Sequence, residues 1–321
     1  KQKTAYEMLR SLVGSEMCIR DRNAFALADW VYLVPALVML LAYLAARTVR
    51  WRILLGPAVP FKDAFAVTNI GYLVSNILPL RLGDPARALA IGLRGAVRTS
   101  AALSTVVIER VLDMAMVVLL LAATLPFVGQ AGWARGAGTI GGAAAIAALA
   151  ILTAAALHPQ AIEHVLARII GRSPRLKRLP WQRVLHGLLE GLAALRSWRG
   201  VGGLILWSFL TWACTVCVYL SLVRAFIPTA GLVQAAFLTC TIGLGMAVPS
   251  SPGAVGVFHS VARYALELPF GVDGETALAI AFASHAFLYL VMCLLGVVGL
   301  VQQNLSLARL QAGITTQLAE E

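Results

Sequence analysis

An all-α, polytopic membrane fold follows from three features of the chain. Its 321 residues are 60% hydrophobic and 13% charged, with a mean hydropathy of +0.82. Soluble domains carry about 25% charged residues, so a water-facing globule of this composition lacks polar surface and lipid must solvate much of it. Five stretches match the ~20 apolar residues that a bilayer-crossing helix needs: Trp30–Trp51, Leu103–Phe127, Gly136–Leu157, Val201–Ile227 and Thr276–Val301. Two more apolar runs, Ala64–Gly92 and Ala236–Ala265, stall on proline and glycine and then resume as helices.

Lys1–Arg22 are set apart before any folding argument. KQKTAYE and LVGSEMCIRD (Leu12–Asp21) are in-frame translations of the flow-cell and transposase ends of a sequencing-library adaptor, joined in the adaptor's own order. They are excluded as a fusion scar would be, and the native sequence is expected to start at Asn23, inside its gene. The remaining organisation is one membrane domain over 23–302, with broken segments over 62–98 and 231–268, a basic loop over 158–200, and a polar tail over 303–321. The net charge of +11 falls to +9 once the adaptor is removed. These charges bracket apolar spans instead of forming a recognition face, which argues against nucleic acid as a partner.

Lys and Arg set the orientation. Arg47, Arg50 and Arg52 close the first span, and His158–Gly200 carries a run of basic residues against only Glu163 and Glu190. The positive-inside rule puts both regions in the cytoplasm and Val128–Arg135 and Pro228–Ala230 outside. The basic stretch reads as a topology-setting loop, with contact to anionic lipid as a side effect.

The two broken segments share a grammar. Each opens with Ala-Phe, reaches Ile-Gly five residues after the Phe, and then carries Pro-x-x-x-Gly, as Pro79 to Gly83 and Pro249 to Gly253. Irregular backbone survives at membrane depth only where protein or a wet cavity shelters it. Each segment therefore reads as a re-entrant hairpin or a pair of half-helices facing the interior. With the threading above they enter from opposite faces, as an inverted-topology repeat, the arrangement that points to a transporter's binding site.

Ionisable residues at membrane depth are costly and usually pair or face a cavity. Arg81 and Arg110 with Asp84, Glu109 and Asp113 make such a set. Glu109 and Asp113, four apart, share a helix face, while Arg110 points elsewhere. The set reads equally as a lock between helices and as a binding site. Cys214 and Cys217 form a C-x-x-C within an apolar span without a second ligand pair, so packing is expected and no metal or cofactor. Cys240 and Cys293 read as core residues. His259 and His285 read as helix–helix hydrogen-bonding groups. The sequence carries no G-x-S-x-G, Walker A, H-E-x-x-H or dinucleotide fingerprint, which makes an enzyme the less expected class.

The order of motifs resembles the lysylphosphatidylglycerol synthase transmembrane region, or flippase-like domain, family. The resemblance rests on Arg50-Trp51-Arg52, on N-x-L-P-x-R-x-G-[DE] (Asn76, Leu78, Pro79, Arg81, Gly83, Asp84), on E-R-x-x-D (Glu109, Arg110, Asp113) and on P-x-x-P-G-x-x-G (Pro249, Pro252, Gly253, Gly256). It implies an integral protein of a bacterial-type cytoplasmic membrane that moves or handles a lipid with a bulky polar head. That lipid would be aminoacylated or linked to polyprenyl phosphate, and the matched motif residues would form the substrate site. The family pattern has a further span ahead of Trp30, expected upstream of Asn23. Aminoacyl transfer is not expected of this polypeptide. The alternative is a non-transporting accessory subunit for a membrane glycosyltransferase or lipid synthase.

Overall fold

A computed structural model describes residues 28–78, 82–95, 97–128, 197–246 and 252–307, with Ala143 and Ala147. The expected Gly136–Leu157 span apart from Ala143 and Ala147, most of the 158–200 loop, and Pro79, Arg81 and Pro249 lie outside the described residues. Among the described residues the secondary structure is helical throughout, with no strand. In chain order the helices are α1 (Leu33–Leu55), α2 (Phe61–Ile77), α3 (Gly83–Gly92), α4 (Thr99–Thr124), α5 (Trp198–Arg224), α6 (Leu232–Gly245), α7 (Val257–Phe270) and α8 (Gly274–Gln303).

Three of the expected spans are long and apolar enough to cross a membrane: Trp30–Leu55, Trp198–Arg224 and Gly274–Gln303. Their exposed stripes are apolar, with Val31, Val34 and Val38 on the first and Leu290, Leu294 and Val301 on the last. Helix α4 has 26 residues but carries Glu109, Arg110 and Asp113 around its middle.

Polar residues set the helix starts. Ser197 Oγ accepts from Gly200 N–H (3.0 Å), and an Asp273 carboxylate oxygen accepts from the N–H groups of Glu275 and Thr276 (3.1 Å each), so α5 and α8 begin ahead of their apolar runs. At the first break α2 ends where Leu78 turns extended (φ −91°, ψ 146°). Pro79 follows in the sequence, and the residue before a proline is pushed out of the α region.

Each broken segment folds back on itself. A Cβ at Gly83 would collide with Gly71 O and Ser75 Oγ of α2, so α3 returns against α2 with backbones nearly touching. In the second half Gly245 of α6 lies against Val261 of α7, where a Cβ would sit 2.7 Å from the valine.

The two hairpins start at opposite ends of the bundle. At one end Asp63, at the start of α2, bonds Arg94 (3.4 Å) just past α3 and Gln303 (3.2 Å) at the end of α8. At the other, Asp29 N–H donates to Ala225 O (2.8 Å), and Arg224 donates to Ala230 O (3.0 Å) just ahead of α6. Helices α1 and α5 lie antiparallel, since Asp29 meets Ala225, and Arg50 meets Ser208.

Exchanging α1–α4 with α5–α8 maps the principal helix contacts onto one another. The α1–α5 contact maps onto itself, α2–α8 onto α6–α4, α2–α3 onto α6–α7, and α3–α4 onto α7–α8. Small residues allow these approaches. A Cβ at Gly296 would sit 2.7 Å from Asn69 O, and one at Gly299 2.7 Å from Ala66 O. Two cores form: Trp51, Val67, Ile70 and Ile91 in one, and Phe237, Phe258, Leu266 and Ile280 with Val117 and Leu121 of α4 in the other.

Candidate functional site

The charges expected on α3 and α4 do meet, and α1 supplies their main partners. Arg50 Nη2 lies 2.7 Å from Asp113 Oδ1 and 3.4 Å from Glu109 Oε1, while its Nη1 donates to Ser208 Oγ on α5 at 3.2 Å. Arg47, one turn earlier, donates to Asp113 Oδ2 at 3.2 Å. Arg87 on α3 donates to Glu109 and pairs with Asp84 at 3.4 Å. Arg110 completes the ring, its Nη2 at 2.6 Å from Asp84 Oδ2 and its Nη1 at 3.9 Å from Asp113. Arg50 occupies the shared helix face of Glu109 and Asp113, and Arg110, expected to point elsewhere, reaches the same network through Asp84 and the edge of Asp113.

Toward the end of α1, Arg47 and Arg50 turn into the protein. Arg50 and Glu109 are wholly inaccessible, and Arg47 and Arg87 nearly so. Aromatic rings line the cluster. The Arg87 guanidinium lies 4.7 Å from the Trp51 ring centroid, that of Arg47 lies 5.8 Å from the Tyr72 ring, and Trp212 Nε1 donates to Asp113 at 3.4 Å. Trp51 is itself pinned by its Nε1–H to Thr105 Oγ1, at 2.9 Å. The Tyr43 and Tyr72 hydroxyls bond each other.

Two features separate the cluster from a simple lock. Among the described residues its four guanidiniums (Arg47, Arg50, Arg87, Arg110) outnumber its three carboxylates (Asp84, Glu109, Asp113) by one. Its burial is also graded, from nothing exposed at Arg50 and Glu109 through 28% at the Asp84 side chain to 54% at Arg110. Among the described residues, the buried Nε–H groups of Arg47 and Arg50 have no hydrogen-bond partner.

The second assembly is where the breaks approach each other. Gly253, in a left-handed turn (φ +63°), lies so close to α2 that a Cβ there would sit 3.4 Å from Asn76 O and 3.1 Å from Tyr289. Asn76 Nδ2 donates to Cys293 Sγ of α8 at 3.5 Å. His285 Nε2 is 2.8 Å from Gly253 O, and its Nδ1 is 3.1 Å from His259 Nε2. Sequence reasoning treated each histidine singly. They are a bonded pair 26 positions apart, and the local sequence holds no signal for that pairing.

Of the motif residues, Asp84, Glu109, Arg110 and Asp113 are thus in one network, while Asn76 and Gly253 are at the junction of the breaks. Gly83 is a packing position against Gly71. Pro252 starts the short turn that holds Gly253, and Gly256 (φ +90°) leads into α7. No group of three or more His, Cys, Asp or Glu among the described residues could hold a metal ion.

The family described as "Lysylphosphatidylglycerol synthase TM region" matches residues 22–296. A UPF0104 membrane protein of Methanothermobacter thermautotrophicus is 25% identical over 299 residues, spanning 86% of this chain and 84% of its own. No solved structure matches. The matched stretch contains both broken segments, the arginine–carboxylate network and the His259–His285 pair, and the chain belongs to the lysylphosphatidylglycerol synthase TM region family of integral membrane proteins.

Proposed function

We propose that this protein moves an anionic lipid across the cytoplasmic membrane, with the phosphate of the head group received at the wet end of the arginine network. The observation that carries the reading is the charge count taken with the exposure. A helix lock needs balanced, sealed charges, whereas this network holds one guanidinium in excess and leaves Arg110 54% exposed. An exposed guanidinium over a buried, cation-rich base suits a phosphate, whose oxygens match the planar fork. Asp84, part-exposed beside Arg110, would receive an amine on an aminoacylated head. A polyprenyl-phosphate lipid shares the phosphate and would use Arg110 alone.

The helix arrangement supports alternating access. The corresponding helices α1 and α5 pair antiparallel, and the hairpins start at opposite ends of the bundle. A two-fold axis in the membrane plane relates such halves as an inverted repeat, which lets one central site face each side in turn. In this reading the chain carries out no group transfer, and its partner is the membrane lipid.

The test is lipid translocation in reconstituted vesicles, using phosphatidylglycerol labelled on its head group. Arg110→Ala should abolish movement of the labelled lipid while leaving the thermal unfolding temperature close to that of the parent. Parental rates in a folded Arg110→Ala protein would remove the network from the lipid path.

A further inference from the structure

Hydrogen-bond direction fixes the state of the histidine pair. The Gly256 N–H can only donate, and it donates to His259 Nδ1 at 3.2 Å. His259 Nδ1 therefore carries no proton, and a neutral ring then has its proton on Nε2. That Nε2–H points at His285 Nδ1, 3.1 Å away. His285 Nδ1 must accept, so the proton of His285 is on Nε2, where the Gly253 carbonyl, an obligate acceptor, lies 2.8 Å away. The chain Gly256 N–H to His259 to His285 to Gly253 O is complete with both rings neutral. Its two ends are anchored on one short turn, whose glycines both take positive φ (63° and 90°).

An added proton cannot fit this chain. A doubly protonated His259 would set Nδ1–H against the Gly256 N–H. A doubly protonated His285 would set Nδ1–H against the Nε2–H of His259. Shifting the His259 proton to Nδ1 only moves the conflict back to Gly256. Wherever the proton enters, one bond of the chain is lost.

We propose that His259 and His285 form a proton-binding site that latches the second break: the neutral pair holds the Pro252–Gly256 turn against α8, and one added proton releases it. The pair takes up one proton, and no other bond forms or breaks besides hydrogen bonds. His259 is nearly buried between Phe258 and Phe282, while His285 is half-buried and leaves a route for the proton.

Among the described residues no charge competes against the rings. On α7, Arg263 and Glu267 bond each other (2.9 Å), and Arg263 lies over Tyr264. On α8 the titratable neighbours are Tyr289, edge-on to His285, and Cys293, which accepts from Asn76; Glu275 is in the first turn. Helix α6 has no charged residue and its Cys240 donates to Phe237 O. Helix α2 has Lys62 and Asp63 only at its far end, and α5 has Arg199 and Arg224 only near its ends. A metal bridged by the two rings would need both nitrogens turned to one point, whereas here they are turned on each other.

The coupling of this latch to lipid movement rests on the transport reading, but the latch itself does not. The reporter is Ala254, 3% exposed inside the latched turn. Ala254→Cys in the full-length protein, reconstituted in phosphatidylglycerol vesicles, is labelled with a membrane-permeant maleimide at about pH 8 and about pH 5.5, on either side of imidazole's ordinary pKa of about 6.5. The parent protein corrects for its own cysteines. Acid lowers the thiolate fraction of an ordinary thiol by about 200-fold over this range, so each rate is divided by that of a small free thiol under the same conditions, and a rise in this ratio marks opening of the turn. We expect the ratio of Ala254→Cys labelling to that of the free thiol to rise by about tenfold at the lower pH, the size one lost hydrogen bond in the latch sets. His285→Gln or His259→Gln in the same background should give no rise in the ratio with acid.

A ratio that does not rise with acid in Ala254→Cys alone would overturn the proposal, whether or not the histidine variants fold. An equal rise in a folded His259→Gln/His285→Gln protein would overturn it too. The labelled phosphatidylglycerol in the same vesicles separates the two readings. A ratio that rises with acid, without lipid movement, keeps the latch and removes transport. Lipid movement with a ratio insensitive to acid keeps transport and removes the latch.

Discussion

Arg50 and Asp113, 63 positions apart, meet at 2.7 Å, with the Arg50 side chain wholly shielded from solvent. The contact ties α1 to α4, and through Glu109 and Ser208 the same guanidinium reaches toward α3 and holds α5. One side chain thus fixes how the first hairpin sits against the pair of antiparallel spans. Removing either partner leaves a buried charge without compensation, which is far costlier than the pair's own net worth.

Arg50→Ala should therefore destabilise the fold by about 3–5 kcal/mol, seen as a large drop in thermal unfolding temperature in detergent. Arg50→Lys should recover only part of this, because an ammonium cannot repeat the fork over two carboxylates and a hydroxyl. An unchanged unfolding temperature in Arg50→Ala would detach the network from the fold's stability.

Hydropathy alone located α1, α5 and α8, because a lipid-facing helix must be apolar for about 20 residues. It missed what holds them together. Arg47 and Arg50 at the end of an apolar span look like residues reaching for the cytoplasm, and the local sequence cannot show that their carboxylates arrive on α4. Glu109 and Asp113 announce a shared face by their spacing of four; the nearby hairpin supplies one partner, Arg87, and α1 supplies the others. The two breaks were legible because proline and glycine act locally on the backbone. The approach of Gly253 to Asn76, and the His259–His285 bond, depend on how α7 and α8 pack, which no local pattern encodes.

Gly83 carries a prediction about backbone approach. A Cβ there would collide with Gly71 O and Ser75 Oγ, whereas one at Gly202 would meet nothing within 4 Å. Gly83→Ala should destabilise the protein by about 1–3 kcal/mol through overpacking. Gly202→Ala, within helix α5, should be neutral or gain up to about 1 kcal/mol from helix propensity. The comparison is read by thermal unfolding of the two variants side by side, and equal effects would mean the α2–α3 hairpin is not packed through glycine.

Topology gives a third expectation. The 228–230 turn, at the end of the bundle where Asp29 meets Ala225, should face outward, and the basic 158–200 loop inward. In intact cells an impermeant thiol reagent should label Thr229→Cys and not Ser173→Cys. Labelling of Ser173→Cys from outside would reverse the threading.

The central claim is that the arginine network receives an anionic lipid head. It is tested most directly by mass spectrometry of lipids retained by the protein extracted in native membrane discs, compared with Arg110→Ala extracted in the same way. The account predicts enrichment of a phosphate-bearing lipid class over the bulk membrane in the parent, and its loss in the folded Arg110→Ala protein. Bulk lipid composition in both discs, or equal enrichment in both, would contradict it.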